Sequence, residues 1–217
     1  MADQEIVAFD LEGTLTAGVA WEGMRDYLKA HGEEDKFRRF FRKNLLPVLA
    51  FRFGLLRDER AFKERWILGV LRLFAGYTPE RLDEMAAWVV SHTFWPQRRV
   101  AVVEELEAHV ANGRRVIIVS GMFEPILQQF AGMLQVESMG TAVAFADGRF
   151  TGEIIGQLNV GQAKVTRLQQ AGRLVVAYGD TVRDIPMLEL AETAVAVHPD
   201  PKLRQAAEQH GWRILMD

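Results

Sequence analysis

Four short apolar runs punctuate the chain: Ile6–Phe9, Val116–Val119, Leu174–Tyr178 and Ala194–Val197. Runs this short and this rich in Val, Ile and Ala predict strands buried on both faces, as in a parallel sheet. A shorter run, Arg213–Met216, is a candidate closing strand. Between them, apolar residues recur at helical spacing over Val100–Val110, Pro125–Leu134, Ala163–Gln170 and Ile185–Ala191. Asn112-Gly113 stops the first of these helices. Strand alternating with helix predicts an α/β fold, a parallel sheet flanked by helices. Val143–Phe145 and Phe150–Ile154, joined through Asp147-Gly148, predict a β-hairpin.

Far more chain lies between Phe9 and Val116 than the ~30 residues of a plain βαβ unit. The excess reads as an insertion, helical throughout, with Trp21, Tyr27, Phe37, Phe40, Phe41, Trp66, Phe74 and Trp88 set among charged residues. The expected organisation is a core of residues 1–16 and 93–217 carrying a small helical domain, 17–92, directly after the first strand. Ligands of open α/β sheets bind at the carboxyl ends of the strands, so an insertion there is placed to act as a lid.

Composition narrows the class. The chain has 217 residues, 49% of them hydrophobic, and a net charge of −3. That is ample for one domain or one domain carrying a smaller one. There is no Cys, which excludes disulfides and thiolate metal sites. The N-terminus lacks a basic stretch leading into an apolar one, so no signal peptide and a soluble cytoplasmic protein are expected. No run of about 18 uncharged apolar residues exists, so no transmembrane helix is expected. Mild acidity argues against general nucleic-acid binding. The charge is uneven: residues 17–95 carry a net +3 and the remainder −6. A basic lid over an acidic base suits an anionic substrate bound with a cation, although ordinary surface charge gives the same split.

The strand ends carry the chemistry. The first run ends in Asp10-Leu11-Glu12-Gly13-Thr14, two carboxylates one residue apart. Period-two alternation puts both on one side if the extended backbone continues. Two neighbouring carboxylates repel unless a cation or a shared proton compensates; a solvated turn is the plain alternative. The second run ends in Ser120-Gly121, ahead of a helix with Pro125 near its start. A hydroxyl and free N–H groups there can hold an anion, and a simple N-cap reads the same way. The third run ends in Gly179-Asp180, with Asp184 four residues on, and Lys164 opens the preceding helix. Each feature is weak alone. Together they put acidic oxygens from two strands at one edge, which suits a hard cation such as Mg²⁺, with Ser120 and Lys164 available to a phosphate.

These residues, in this order and spacing across nearly the whole chain, resemble the haloacid dehalogenase (HAD) superfamily. The likeness is to subfamily IB hydrolases, with a helical cap after the first strand, which include phosphoserine phosphatases. Asp10-Leu11-Glu12-Gly13-Thr14 is similar to the first motif, Ser120-Gly121 to the second, Lys164 to the third, and Gly179-Asp180 with Asp184 to the fourth. The resemblance implies a HAD-like, Rossmann-like core and a Mg²⁺-dependent phosphatase acting on a small phosphorylated metabolite. Asp10 would form an aspartyl-phosphate and Glu12 would be general acid and base. Mg²⁺ would be held by Asp10, the Glu12 backbone carbonyl and Asp180, with Asp184 supporting. Ser120, Gly121 and Lys164 would bind the phosphoryl oxygens. Such phosphatases usually carry Asp where Glu12 stands, though some relatives similar to phosphoserine phosphatases carry Glu. Phosphoserine phosphatases place an amine-binding Glu where Val19 stands and Asn where Arg183 stands, so phosphoserine as sole substrate is not favoured. A phosphotransferase with the same intermediate is a close rival.

Lys36-Phe37-Arg38-Arg39-Phe40-Phe41-Arg42-Lys43 and the following Leu45–Leu56 segment are dense in base and apolar residues. The favoured expectation is the lid's own core with a solvated basic face. The alternative is an apolar tunnel or a membrane-surface contact, which extends to a catalytically silent binding protein. Arg52, Arg57, Arg60 and Arg65 are candidates to reach a substrate anion. His198-Pro199-Asp200-Pro201 reads as a turn.

Overall fold

The structure, a computed structural model, describes residues 4–56 and 58–216. Six strands form one sheet: β1 (Glu5–Phe9), β2 (Arg115–Phe123), β3 (Glu137–Thr141), β6 (Arg173–Gly179), β7 (Thr193–Val197) and β8 (Arg213–Leu215). Their order is β3-β2-β1-β6-β7-β8, and every neighbouring pair is parallel. β1 therefore lies between β2 and β6, where the winding of the sheet reverses. The ends of these three strands meet at one crevice, the place where such sheets bind ligands.

Alternation along β1 shows why the central strand is apolar throughout. Val7 and Phe9 join one hydrophobic cluster, Ile6 and Ala8 the other, and all four are fully buried. The first face packs under α6 (Val100–Ala111) and α7 (Glu124–Leu134), through residues such as Leu106, Leu127 and Phe130. The second packs under α8 (Gln162–Ala171), α9 (Ile185–Leu190) and α10 (Pro201–His210), through Leu168, Leu188 and Leu203. Phe9 stacks on Tyr178 of β6 with ring centroids 4.0 Å apart.

Before α6, five helices follow β1 among the described residues: α1 (Ala20–Ala30), α2 (Glu34–Lys43), α3 (Leu45–Arg52), α4 (Glu59–Leu71) and α5 (Pro79–Val89). Met24, Leu28, Leu82 and Met85 of α1 and α5 belong to the same cluster as α7 and the first sheet face. The expected hairpin is present as β4 (Val143–Ala146) and β5 (Arg149–Ile154). Its two-residue turn, Asp147-Gly148, has positive φ at both positions, the conformation that matches strand twist. Phe150 exchanges backbone hydrogen bonds of 2.8 Å with Gly76 and Tyr77, fixing the hairpin to the connection between α4 and α5.

Three local features depart from the sequence reading. The sequence pattern predicts neither β3 nor α10. β2 runs on through Phe123, so Ser120 lies inside a strand and does not cap a helix. Asp200 does act at a helix start: its carboxylate accepts from the Lys202 and Leu203 amides at 2.9 and 2.8 Å and caps α10. No helix among the described residues is long and apolar enough to cross a membrane.

Candidate active site

Asp10 follows β1 directly, and its amide still donates to the Tyr178 carbonyl at 3.0 Å, so the sheet fixes its backbone. The chain then turns. Leu15 and Thr16 both donate back to the Leu11 carbonyl, and Gly13 donates to Thr16. Glu12 thus reaches the cavity by a tight loop rather than by continued extension, and its Oε1 accepts from the Ala20 amide at 3.3 Å. The Arg99 side chain holds the Gly13 carbonyl at 2.9 Å.

Gly13 is there for two reasons. Its φ is +96°, and a Cβ would lie 1.9 Å from Asp180 Oδ2. The first motif and the end of β6 therefore close on each other with no room for a methyl group. Gly13→Ala is expected to lower stability by about 2 kcal/mol or more and to move the Asp180 carboxylate. Chemical denaturation of the variant checks this; an unchanged midpoint would show that the close approach is not maintained.

Behind the crevice, Lys164 opens α8 with its side chain buried. Its Nζ donates to Asp10 Oδ1 and to Asp184 Oδ1, both at 2.6 Å. Burial alone would lower its pKa, but the two carboxylates outweigh that and hold the ammonium charged. Asp184 Oδ2 accepts from the Asp180 and Thr181 amides and from the Thr181 hydroxyl at 3.2–3.3 Å, locking the loop after β6. Thr14 donates to Asp180 Oδ1 at 3.3 Å.

Carboxylate oxygens of Asp10, Asp180 and Asp184 come within 4.8 Å of one another. Three buried or half-buried carboxylates face one ammonium. Burial pushes Asp10 up to about 6, against the pull of Lys164. Burial, followed by the charges of Asp10 and Asp184, pushes Asp180 up to about 9. Burial likewise lifts Glu12 to about 7. Surplus negative charge on oxygen-only donors is the chemistry a hard divalent cation satisfies, so the residues present fit such an ion.

The second motif gains its geometry from a break in the sheet. Val119 pairs with Met139, but the next pair is Phe123 with Thr141, so Ser120, Gly121 and Met122 have no partner in that register. The irregularity sits beside the crevice, where bulges commonly re-aim side chains. The Met122 amide donates to Ser120 Oγ at 3.3 Å. Asp10, Glu12, Ser120, Gly121, Lys164, Asp180 and Asp184 all line one cavity of about 2040 Å³.

The same cavity is walled by the helical insertion, through Val19, Trp21, Phe51, Arg52, Arg60 and Trp66 among others. Of the four candidate arginines, Arg52 and Arg60 line it, and Arg60 pairs with Glu64 at 3.1 Å. Arg65 is exposed and is not among the lining residues. Arg57 lies outside the described residues. Two groups went unremarked in the sequence. Glu64 of α4 meets Arg183 at 3.2 Å, tying the insertion to the loop that carries Asp180 and Asp184. Asn159, buried, donates to the Ser120 and Met139 carbonyls at 3.3 and 2.7 Å and so braces the second motif. A single Asn in a loop carries no sequence signal. The only sign of Glu64 was its charge on a helix over the site.

Comparison with known proteins places the chain in a family. The model of the family described as haloacid dehalogenase-like hydrolase matches residues 7–189. A histidinol-phosphatase of Neisseria meningitidis serogroup C is 27% identical, over 98% of each chain. A phosphoserine phosphatase of Halobacterium salinarum is 36% identical, over 90% of this chain and 87% of its own. A protein of unknown function from Bordetella pertussis Tohama I shares the fold, with a TM-score of 0.78 at 24% identity over 99% of both chains.

Proposed function

This chain belongs to the haloacid dehalogenase-like hydrolase family, and on that premise we propose that it is a Mg²⁺-dependent phosphomonoesterase working through an aspartyl-phosphate on Asp10. The observation that carries the reading is the buried Lys164 ammonium, 2.6 Å from Asp10 and from Asp184, at the floor of a cavity that Glu12, Ser120 and Asp180 also line. A purely structural ion pair needs neither the surplus carboxylates nor the open space before them.

In the first step Asp10 attacks phosphorus and the bond from phosphorus to the alcohol oxygen breaks. Glu12 gives its proton to that oxygen. In the second step water attacks phosphorus, Glu12 takes the water's proton, and the acyl-phosphate bond opens to release inorganic phosphate and Asp10. A Glu12 carboxyl near 7 has both forms available at neutral pH, which supports this double duty. Lys164 offsets the charge of Asp10 as an anionic substrate approaches, and the Ser120 hydroxyl with the Gly121 amide holds transferring oxygens. Asp10, the Glu12 carbonyl and Asp180, supported by Asp184, would hold Mg²⁺, which when bound neutralises phosphoryl charge.

In this reading α1–α5 form the cap, residues 17–92, over a core of 1–16 and 93–217, and the Arg183–Glu64 pair fastens one to the other. The substrate class is the phosphomonoester of a small alcohol, in keeping with the names of the two relatives. Val19 lines the cavity where phosphoserine phosphatases place an amine-binding carboxylate, so phosphoserine is not favoured as sole substrate.

The test is phosphate release from p-nitrophenyl phosphate, histidinol phosphate and phosphoserine, with Mg²⁺ or with EDTA. Release with Mg²⁺ is expected to fall by at least ~100-fold in EDTA, the scale of losing a key charge-stabilising group, and to return when Mg²⁺ is restored. No release from any of the compounds by folded protein would reject the proposal.

A further inference from the structure

Thirteen large hydrophobic residues are exposed among the described residues, and six of them fall between positions 41 and 55: Phe41, Leu45, Leu46, Leu49, Phe53 and Leu55. Leu46, Phe53 and Leu55 are 79%, 69% and 73% exposed. These are not the lid's core. That core is the aromatic cluster of Trp21, Phe37, Phe40 and Trp66, in which Phe40 and Trp66 rings lie 4.9 Å apart. Phe37 is buried in it, while Phe41, one turn on, is already at the surface. Helix α3 is too short, and too apolar on every side, to cover its own residues. Leu45 and Leu49 of α3, with Phe53 just past its end, lie four apart and form one stripe, and none of the α3 residues is buried.

Acidic residues flank this tip, Glu34 and Asp35 on one side and Asp58 and Glu59 on the other, but none lies between. From Lys36 to Arg57 there are seven Lys and Arg and no Asp or Glu. Arg39, Arg42, Lys43 and Arg52 form no ion pair among the described residues. An apolar stripe rimmed by unpaired cations is the arrangement of an interfacial helix, whose apolar face enters the headgroup boundary while Arg and Lys stems reach back to anionic lipid. The alternative occupant, a second copy of this surface, would set two such cationic rims against each other.

We propose that the α2–α3 tip is a docking surface for an anionic lipid bilayer, on which the chain lies without spanning it. The inner side of the same tip, through Phe41, Val48, Phe51, Arg52 and Leu56, lines the cavity that holds Asp10. Docking would therefore set the cavity wall against the membrane. The inference does not depend on catalysis.

The test is co-sedimentation of the full chain, in EDTA, with vesicles of equal parts phosphatidylcholine and phosphatidylglycerol, against vesicles of phosphatidylcholine alone. Wild type is expected to partition onto the anionic vesicles and to come off as salt is raised. Each of R39Q, R42Q and K43Q is expected to weaken partition about fivefold, the scale of one basic residue at an anionic surface. The double variant L46E/F53E is expected to lose it, with unchanged circular dichroism and unchanged p-nitrophenyl phosphate turnover, since neither side chain lines the cavity. Failure of wild type to bind anionic vesicles overturns the proposal, as does equal binding by wild type and L46E/F53E. A concentration-dependent dimer in sedimentation velocity that L46E/F53E abolishes, without vesicle binding, assigns the surface to a second copy instead. Phosphate release in Mg²⁺ is read separately, so loss of one reading leaves the other standing.

Discussion

Asp10→Asn is expected to lower kcat for phosphate release by about four orders of magnitude or more, the scale on which removal of a covalent nucleophile registers. The amide keeps the shape of the carboxylate but is a poor nucleophile. The fold should survive the change. Lys164 keeps Asp184 as a partner at 2.6 Å, and removing one of three crowded carboxylates relieves repulsion. The Tm is therefore expected to stay the same or rise. Turnover with saturating p-nitrophenyl phosphate and Mg²⁺, alongside a thermal melt, decides the matter. Residual turnover within tenfold of wild type would exclude Asp10 as the group that takes the phosphoryl.

Lys164→Met should act on stability and activity together. Met fills nearly the same space but carries no charge, and it leaves Asp10, Asp180 and Asp184 facing one another without a cation. Removing one partner of a buried ion pair costs about 3–5 kcal/mol, which for a chain of this size is a fall in Tm of roughly 10 °C. Added Mg²⁺ is expected to return part of that loss, because a dication supplies the missing charge to the same oxygens. Phosphate release should nevertheless stay low, since the ammonium beside the nucleophile is gone. A Lys164→Met protein that melts with wild type in EDTA would show that the three carboxylates are not held together in solution.

The central strands were legible because burial on both sheet faces leaves no freedom in composition. β1, β2, β6 and β7 could be little other than Val, Ile, Ala and aromatic residues. The chemical residues were legible for the converse reason: carboxylates and a Ser-Gly at the ends of such runs have no place in a core. β3 escaped because an edge strand of Glu, Ser, Met, Gly and Thr is held by one neighbour and carries little apolar signal. α10 escaped because it is anchored through little more than Leu203 and Ala207 on an otherwise polar helix. The extension of β2 past Ser120 depends on a shift against β3, and no local pattern encodes a register between segments far apart. The α3 leucines misled in the other direction: an apolar run predicts burial, yet Leu46 is 79% exposed. Periodicity reports which residues avoid water, not what covers them.

The Lys164 bridge also sets when the protein becomes able to work. The lysine meets Asp10 across 154 positions, and the Asp180 carboxylate meets Thr14 across 166. β1 is synthesised well before β6, its second sheet partner, and before Lys164, its counter-charge. Until residue 184 has been made, β1 can pair only with β2, and Asp10 and Glu12 stay solvated beside a half-built crevice. No chain shorter than 184 residues can hold the assembled charge cluster, so competence arrives in one late step, when β6 docks on β1 and the carboxylates and lysine are buried together.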